Sequence, residues 1–334
     1  MRRDHLKYLV CPDCQTELSI SRELRVERER LITAELACGA CGESYPVLRG
    51  VPRFVPASNY SEGFGFQWKR HAWTQHDCYS RSTVSEDRFF KETRWPRSLP
   101  GETLLEVGCG SGRFTTHALS TDAMVVSVDM SAAVEENYRC HAGARNLLVV
   151  QADLYRLPLI RQSFDKVFCL GVLQHTPDVE KAFRTLPDYV GPNGKVAVDV
   201  YDKRSGLLGL IEPFYRTHRW IRPLTRRLPP RRLYDAVSAY ITLMWPLAKW
   251  IHRIPAIGPR INRALLVVDY RGRYPLSEGL LKEWSILDTF DMLSPAYEQR
   301  QTIESVKRWF AQSPLKEVEV HYGYNGIEGR GTKC

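Results

Sequence analysis

From residue 102 the chain settles into a repeating order of apolar runs and amphipathic stretches. The runs are "TLLEVG", "MVVSVD", "NLLVVQAD", "KVFCLGVL" and "KVAVDVY". Between them lie "RFTTHALST", "SAAVEENYRCHAG" with Ser131 as its cap, the loop "LYRLPLIRQSFD", and "DVEKAFRTLPDYV" closing in a "GPNG" turn. A strand exposed on one face alternates apolar with polar residues, whereas these runs are apolar nearly throughout, as strands covered on both faces are. Such strands separated by helices build a parallel sheet. The pattern predicts an α/β core over 101–202. It resumes later with a helix in "TIESVKRWFAQS" and closing strands in "KEVEVHYGYNGIEGRGTK", so 276–334 is read as the C-terminal part of the same domain.

Three segments depart from that order. Residues 1–57 hold short strands, "ELSI" and "RLITAELAC", in a hairpin-rich unit too small to be held by its own apolar core. Residues 58–100 are rich in aromatics without a clean period and are read as one or two helices, a lid or linker before the core. Residues 203–275 are helical in pattern and punctuated by proline, where a compact domain would return directly to its sheet; they are read as an insertion. The greasiest stretch of that insertion, "AVSAYITLMWPLAKWI" at 236–251, is broken by Pro246 and Lys249 and is too short to span a bilayer.

Composition adds little to this until charge is mapped. The chain of 334 residues is 43% hydrophobic and 25% charged, as globular proteins with a sizeable core are. The formal charge of +9 is concentrated: residues 201–273 hold 15 Lys and Arg against 4 Asp and Glu, a net +11, and seven arginines fall between 216 and 232. Such a cluster suits RNA phosphates, an anionic substrate such as a nucleotide sugar, or a membrane surface, and equally a merely solvated face. The opening "MRRDHLKYLVCPDC" has no apolar stretch of signal-peptide length, so a soluble cytoplasmic protein is expected. In that compartment nine cysteines are thiols or metal ligands.

Spacing separates those two uses. Cys11 and Cys14 in "CPDC" are followed after 23 residues by Cys38 and Cys41 in "CGAC", two C-x2-C knuckles whose thiolates complete a tetrahedron. Four protein ligands leave no position for water, so the zinc expected there is structural, with about 10–16 kcal/mol of binding free energy to hold a module that lacks a core. Cys109 and Cys169 lie in or beside apolar runs and read as core thiols.

The first apolar run ends in "GCGSG", with Gly108, Gly110 and Gly112. The dinucleotide fingerprint is not met, because Arg113 stands where its third glycine belongs, and no G-K-[ST] follows to make a P-loop. Glycines here let the backbone turn sharply and lie directly against a ligand. Asp129 ends the second run 21 residues after Gly108, and Asp153 ends the third. Carboxylates at those ends suit ribose hydroxyls and an adenine edge, at the carboxyl edge where parallel sheets bind ligands.

These motifs, in order over roughly 102–202, resemble the class I S-adenosylmethionine-dependent methyltransferases. "LLEVGCGSG" is similar to their first motif, "VSVDMS" to their second, "QADLYRLP" to their third, and "FDKVFCLGVLQHTPD" with "VGPNGKVAVDVY" to their fourth and fifth strands. The resemblance implies a Rossmann-like α/β fold with S-adenosyl-L-methionine as cofactor. Gly108, Gly110 and Gly112 would surround its methionine portion, Asp129 and Met130 would lie at the ribose, Asp153 and Leu154 at the adenine, and Gly171 to His175 beside the sulfonium and the acceptor. Glu106 would either orient the loop or meet the ligand's amino group. Gln67, with Phe66 and Trp68 in "FGFQW", would line a lid over the cofactor. His175 is either a general base, for an acceptor that must lose a proton, or a group that orients its loop.

Residues 1–57 in turn resemble the zinc-ribbon-like small activator subunit that partners RNA and release-factor methyltransferases, the closing "YPVLRGVPRFVP" included. Modules of this kind are also fused ahead of methyltransferase domains in bacterial pathways that modify sugars or secondary metabolites. The combined resemblance implies methyl transfer to a small molecule: a sugar, nucleotide sugar or secondary metabolite. Two features accord with it. "GVLQHTPD" lacks the asparagine-proline-proline-aromatic signature with which many base-amino methylases grip a planar amine, and residues 1–58 are nearly neutral, with 9 Lys and Arg against 8 Asp and Glu. RNA methylation through the basic insertion is one alternative, and its binding would weaken steeply with salt. A cyclising reaction within the cofactor's own aminobutyl chain is another; it would leave methylthioadenosine where methyl transfer leaves S-adenosylhomocysteine.

Overall fold

After a short 3-10 helix at Arg3–Tyr8, the first strands form a hairpin built without glycine. β1 (Leu18–Glu27) returns as β2 (Arg30–Cys38) through Arg28 (φ 46°) and Glu29 (φ 66°), the left-handed pair that a two-residue turn between right-twisted strands requires. β1 runs beyond the expected "ELSI" through an exposed, charged "SRELRVE", held by pairing with β2 and not by burial. β3 (Ser44–Leu48) and β4 (Val51–Pro52) complete a sheet in the order β1-β2-β3-β4.

The computed structural model describes residues 1–56, 59–203 and 216–334; residues 204–215 of the expected insertion, and the expected boundary at 57 and 58, lie outside the described residues. The chain divides into two units, one of Met1–Asn59, Arg88–Asp202 and Tyr297–Cys334, the other of Tyr60–Asp87 and Lys203–Ala296.

The first unit is organised by a second, seven-stranded sheet. Its strands are β5 (Thr103–Val107), β6 (Met124–Asp129), β7 (Leu147–Gln151), β8 (Phe164–Cys169), β9 (Val190–Val200), β10 (Leu315–Tyr322) and β11 (Ile327–Lys333), in the order β10-β11-β9-β8-β5-β6-β7. The five from β5 to β9 are parallel, and β11 is antiparallel to both its neighbours. This is the α/β Rossmann-like sheet of class I methyltransferases. Each central strand deals its residues alternately to two buried layers. Leu105, Val126, Leu148 and Val167 enter one layer, together with Leu31, Leu36 and Val47 of the N-terminal module; Leu104, Val125, Leu147 and Phe168 enter the other. That division explains runs apolar at every position. After β7 the chain crosses back to the far side of β5, so the strand order reverses between β5 and β8, and their carboxyl ends open the crevice in which such sheets bind ligands.

Three local expectations change. "GPNG" is no free turn: it lies within β9 as a bulge, Phe164 pairing with Val190 and Lys166 already with Lys195, while Asn193 takes φ 60°. Ser131 receives the Ala133 amide at 3.3 Å, but the helix starts later, at Val134, with Ala133 as its N-cap. β8 stops at Cys169, because Gly171 turns with φ 76° and Leu173–His175 form a 3-10 turn.

The second unit is helical. Helices Pro230–His252 and Glu278–Leu293 pack Leu233, Val237, Ile241 and Trp245 against Leu281, Phe290 and Leu293. Phe66, from helix Glu62–Arg70, lies against Tyr234 and Phe290. Asn262 donates to the Ala248 carbonyl at 2.9 Å and Trp284 to the Thr74 carbonyl at 2.8 Å, which ties the segments together. No helix among the described residues is long and apolar enough to cross a membrane.

Candidate functional site

The site is assembled where β5 to β9 end. Gly108 leaves β5 with φ 86°, and its amide and that of Cys109 both reach the Val128 carbonyl on β6, at 2.7 and 3.0 Å. A side chain on Gly108 would collide with Val172, so the absent Cβ is what brings this loop onto the turn after β8. Gly112 takes φ 96° and is closed in by Asn137 and His141 in the same way. Gly110 (φ 51°) gives its amide to Asp129 Oδ2 at 2.8 Å, and Ser131 gives its own to Asp129 Oδ1 at 2.7 Å. The carboxylate that ends β6 is thus anchored on the glycine loop by one oxygen and on its own turn by the other. Burial pushes the Asp129 carboxyl above its ordinary range, against the pull of those bonds.

Beside it the Ala152 amide reaches the Asp129 carbonyl at 3.1 Å, which joins the end of β7 to the end of β6. Asp153 follows and caps the short turn Leu154–Arg156, its Oδ1 accepting from the Tyr155 amide at 3.0 Å. The Met130 carbonyl receives two side-chain amides, Gln151 at 2.9 Å and Asn59 at 3.2 Å. Arg53 of the N-terminal module in turn holds Gln151 Oε1 at 2.7 Å and Glu135 at 3.0 Å. The structure therefore brings Gly108, Gly110, Gly112, Asp129, Met130, Asp153 and Leu154 along one rim.

Glu106 lies beneath the loop, 2% exposed, its Oε2 accepting from the hydroxyls of Thr115 and Ser127 (2.6 Å to Ser127). Asn137 continues the knot to Thr115 at 2.9 Å. Burial holds the Glu106 carboxyl at about 7, with those hydroxyl bonds acting against the shift.

On the other side of the crevice, the Gly171 amide donates to Asp199 Oδ1, and Asp199 Oδ2 pairs with Arg88 at 2.6 Å. Arg88 also pairs with Glu92 at 2.8 Å. The Asp199 side chain is fully buried in the middle of an apolar strand, which is where charge is costly unless paired. His175 is 8% exposed; its Nδ1 lies 3.1 Å from the Tyr297 carbonyl and its ring stands edge-on to Tyr201. A ring nitrogen facing a carbonyl carries the proton, so Nε2 is the basic nitrogen of the neutral ring. The neighbouring Gln174 is wholly buried with neither amide atom bonded among the described residues.

Gln67 belongs to the second unit, 1% exposed, its Oε1 without a hydrogen-bond partner among the described residues. Asp199, Arg88 and Arg53 were not singled out in the sequence. Asp199 had a readable signal: it is the one acid in "KVAVDVY".

The four cysteines converge as their spacing implied. The sulfurs of Cys11, Cys14, Cys38 and Cys41 all lie within 4.8 Å of one another, Cys11 3.6 Å from Cys41 and Cys14 3.4 Å from Cys38. A tetrahedron with metal–sulfur bonds of about 2.3 Å has edges of about 3.8 Å, so the donor set fits a bound metal. The Thr16 hydroxyl lies 3.0 and 3.1 Å from Cys14 and Cys38, and that of Tyr45 3.2 Å from Cys11, the outer contacts that stabilise thiolates.

Comparison with known proteins bears on residues 105–198, which match the family model described as a methyltransferase domain. Over 101 residues the chain is 30% identical to the ubiquinone biosynthesis O-methyltransferase of Coxiella burnetii (strain RSA 493 / Nine Mile phase I), covering 30% of this chain and 43% of that protein. Over 127 residues it is 26% identical to the tRNA U34 carboxymethyltransferase of Campylobacter curvus (strain 525.92), covering 34% and 43%. The chain thus spans less than half the length of these curated relatives. Among solved structures it is similar to the CurJ carbon methyltransferase, with a TM-score of 0.40 and 14% identity over 72% of this chain and 50% of that one.

Proposed function

We propose that this chain is an S-adenosylmethionine-dependent methyltransferase acting on a small molecule: a sugar, nucleotide sugar or secondary metabolite. The observation that carries the reading is the rim itself, in which the glycine loop, Asp129 and the β7 end are bonded to one another at the point where strand order reverses. Its donor set fits the cofactor. Two carboxylates, Asp129 and Asp153, suit a cation bearing ribose hydroxyls and would repel a phosphate, while Gly108 to Gly112 expose main chain. When bound, S-adenosylmethionine supplies a methyl group activated by its positive sulfur.

The chain's own residues would then divide the work. Asp129, held by two amides, fixes the ribose end, and Asp153 with Leu154 the adenine end. The Gly171 turn, held by Asp199, sets the wall at the methyl end, so that alignment supplies most of the catalysis. His175, with its proton held at Nδ1 toward Tyr297, offers Nε2 to an acceptor that must lose a proton. In the N-terminal module the four thiolates would hold a structural zinc.

Calorimetric titration with S-adenosylhomocysteine tests the site. Asp129→Ala is expected to weaken binding by about 1–3 kcal/mol, because ribose hydroxyls lose their acceptor in a desolvated position. Unchanged affinity overturns the assignment. Analysis of the spent cofactor tests the reaction: S-adenosylhomocysteine is expected, and methylthioadenosine would show cyclisation instead.

A further inference from the structure

The second unit carries an apolar surface that its own packing does not use. In helix Pro230–His252, Leu233, Val237, Ile241, Trp245 and Ala248 face the core of the unit. On a helix of 3.6 residues per turn, Leu243, Leu247 and Trp250 fall on the opposite side, spaced four and three apart. They are exposed, Leu243 by 78% and Trp250 by 69%. Ile254 and Ile257, just beyond the helix, are exposed as well. From Ala236 to Ala248 the helix has no charged residue, so its solvent side is not made polar in the usual way. Charge lies instead at its ends: exposed Arg226 and Arg227 before it, exposed Arg231 and Arg232 in its first turn, exposed Arg253 and Arg260 after it. Over 216–266 eleven Lys and Arg face a single acid, Asp235.

We infer that this helix is a docking surface for an anionic phospholipid membrane, lying in the interface and not crossing it. A helix with an apolar strip bounded by arginines and a tryptophan embeds its strip at the headgroup boundary while the cations meet lipid phosphates. Charge complementarity selects this occupant. A two-fold pairing with a second copy of the chain would set Arg231 and Arg232 against Arg253 and Arg260 when antiparallel, or each cluster against itself when parallel, and like charges oppose both. RNA would meet the arginines but leave Leu243 and Leu247 without a partner. The inference is independent of the methyl-transfer reading.

Vesicle flotation of the full chain tests it. Binding to vesicles of phosphatidylglycerol with phosphatidylcholine is expected, with little binding to phosphatidylcholine alone and weakening at high salt. Leu243→Asn with Leu247→Asn is expected to lower vesicle affinity at least ten-fold while the thermal midpoint is kept. Arg231→Gln with Arg232→Gln is expected to lower it about five-fold per arginine, on anionic vesicles only. No flotation on either vesicle, or equal binding by the double asparagine variant, overturns the inference. So does a dimer in analytical ultracentrifugation that the asparagine pair dissolves, or retention on RNA that the arginine variants abolish while vesicle binding is unchanged.

Discussion

Replacing Glu106 by glutamine probes the polar knot beneath the glycine loop. The carboxyl is 2% exposed and is held at about 7, against an ordinary 4.5. Between those two values the folded chain keeps a proton that the unfolded chain has released. Stability from this group is therefore present in full below pH 4.5 and is lost as pH rises through 7. At about 1.4 kcal/mol per pH unit, the span from 4.5 to 7 amounts to about 3 kcal/mol. Glutamine keeps a carbonyl oxygen to accept from Thr115 and Ser127 but cannot ionise. The stability of Glu106→Gln minus that of the parent should accordingly rise by about 3 kcal/mol from pH 4.5 to pH 8. Urea midpoints and slopes for both proteins across that range give the difference directly. Taking the difference cancels other groups that titrate nearby, such as His5 and His218, which burial pulls down to about 4. A difference that does not vary with pH would refute the reasoning, because no buried carboxyl would then be ionising in the window. Calorimetry on the same variant separates the two roles open to Glu106. Retained affinity for S-adenosylhomocysteine assigns it to loop orientation, and lost affinity to contact with the ligand's amino group.

Three further outcomes are expected. Cys11→Ser should lower bound zinc, measured by plasma mass spectrometry on the purified chain, while leaving the seven-stranded sheet folded by circular dichroism. Asp199→Ala leaves Arg88 with Glu92 alone and the Gly171 amide without an acceptor, so urea unfolding should show a loss of about 3–5 kcal/mol. Gly108→Ala places a Cβ at φ 86° against Val172, and should weaken S-adenosylhomocysteine binding; adding Val172→Ala should recover part of the loss, since it removes the two γ-methyl contacts and leaves the contact with the Val172 Cβ and the backbone strain.

The parallel strands were legible because burial on both faces leaves short apolar runs, and these recur in alternation with amphipathic stretches. The cysteine knuckles were legible because metal chemistry fixes their spacing. Signals weakened where neighbours and not local pattern decide. "GPNG" has the composition of a turn, yet pairing with β8 keeps it within β9 as a bulge. "SRELRVE" has no strand pattern, and its ladder to β2 makes it one. The aromatics "FGFQW" gave no period because Phe66 answers to Tyr234 and Phe290, more than 160 positions away.

The charged residues that shape the crevice were hardest to read, for a related reason. Asp129 and Asp153 stand at strand ends, where a carboxylate is expected to serve a ligand, and sequence position alone suggests their use. Asp199 stands inside a strand, and its meaning depends on Arg88, 111 residues earlier, and on an amide at Gly171. Yet a carboxylate within "KVAVDVY" can persist only if something pays for its desolvation, so the sequence already demands a buried cation and a donor nearby. Following that demand leads from the interior of β9 to the turn beside His175. The two ends of the crevice are thus set by the same chemistry used in opposite ways: at Asp129 backbone amides fix a carboxylate in place, and at Asp199 a carboxylate fixes the backbone.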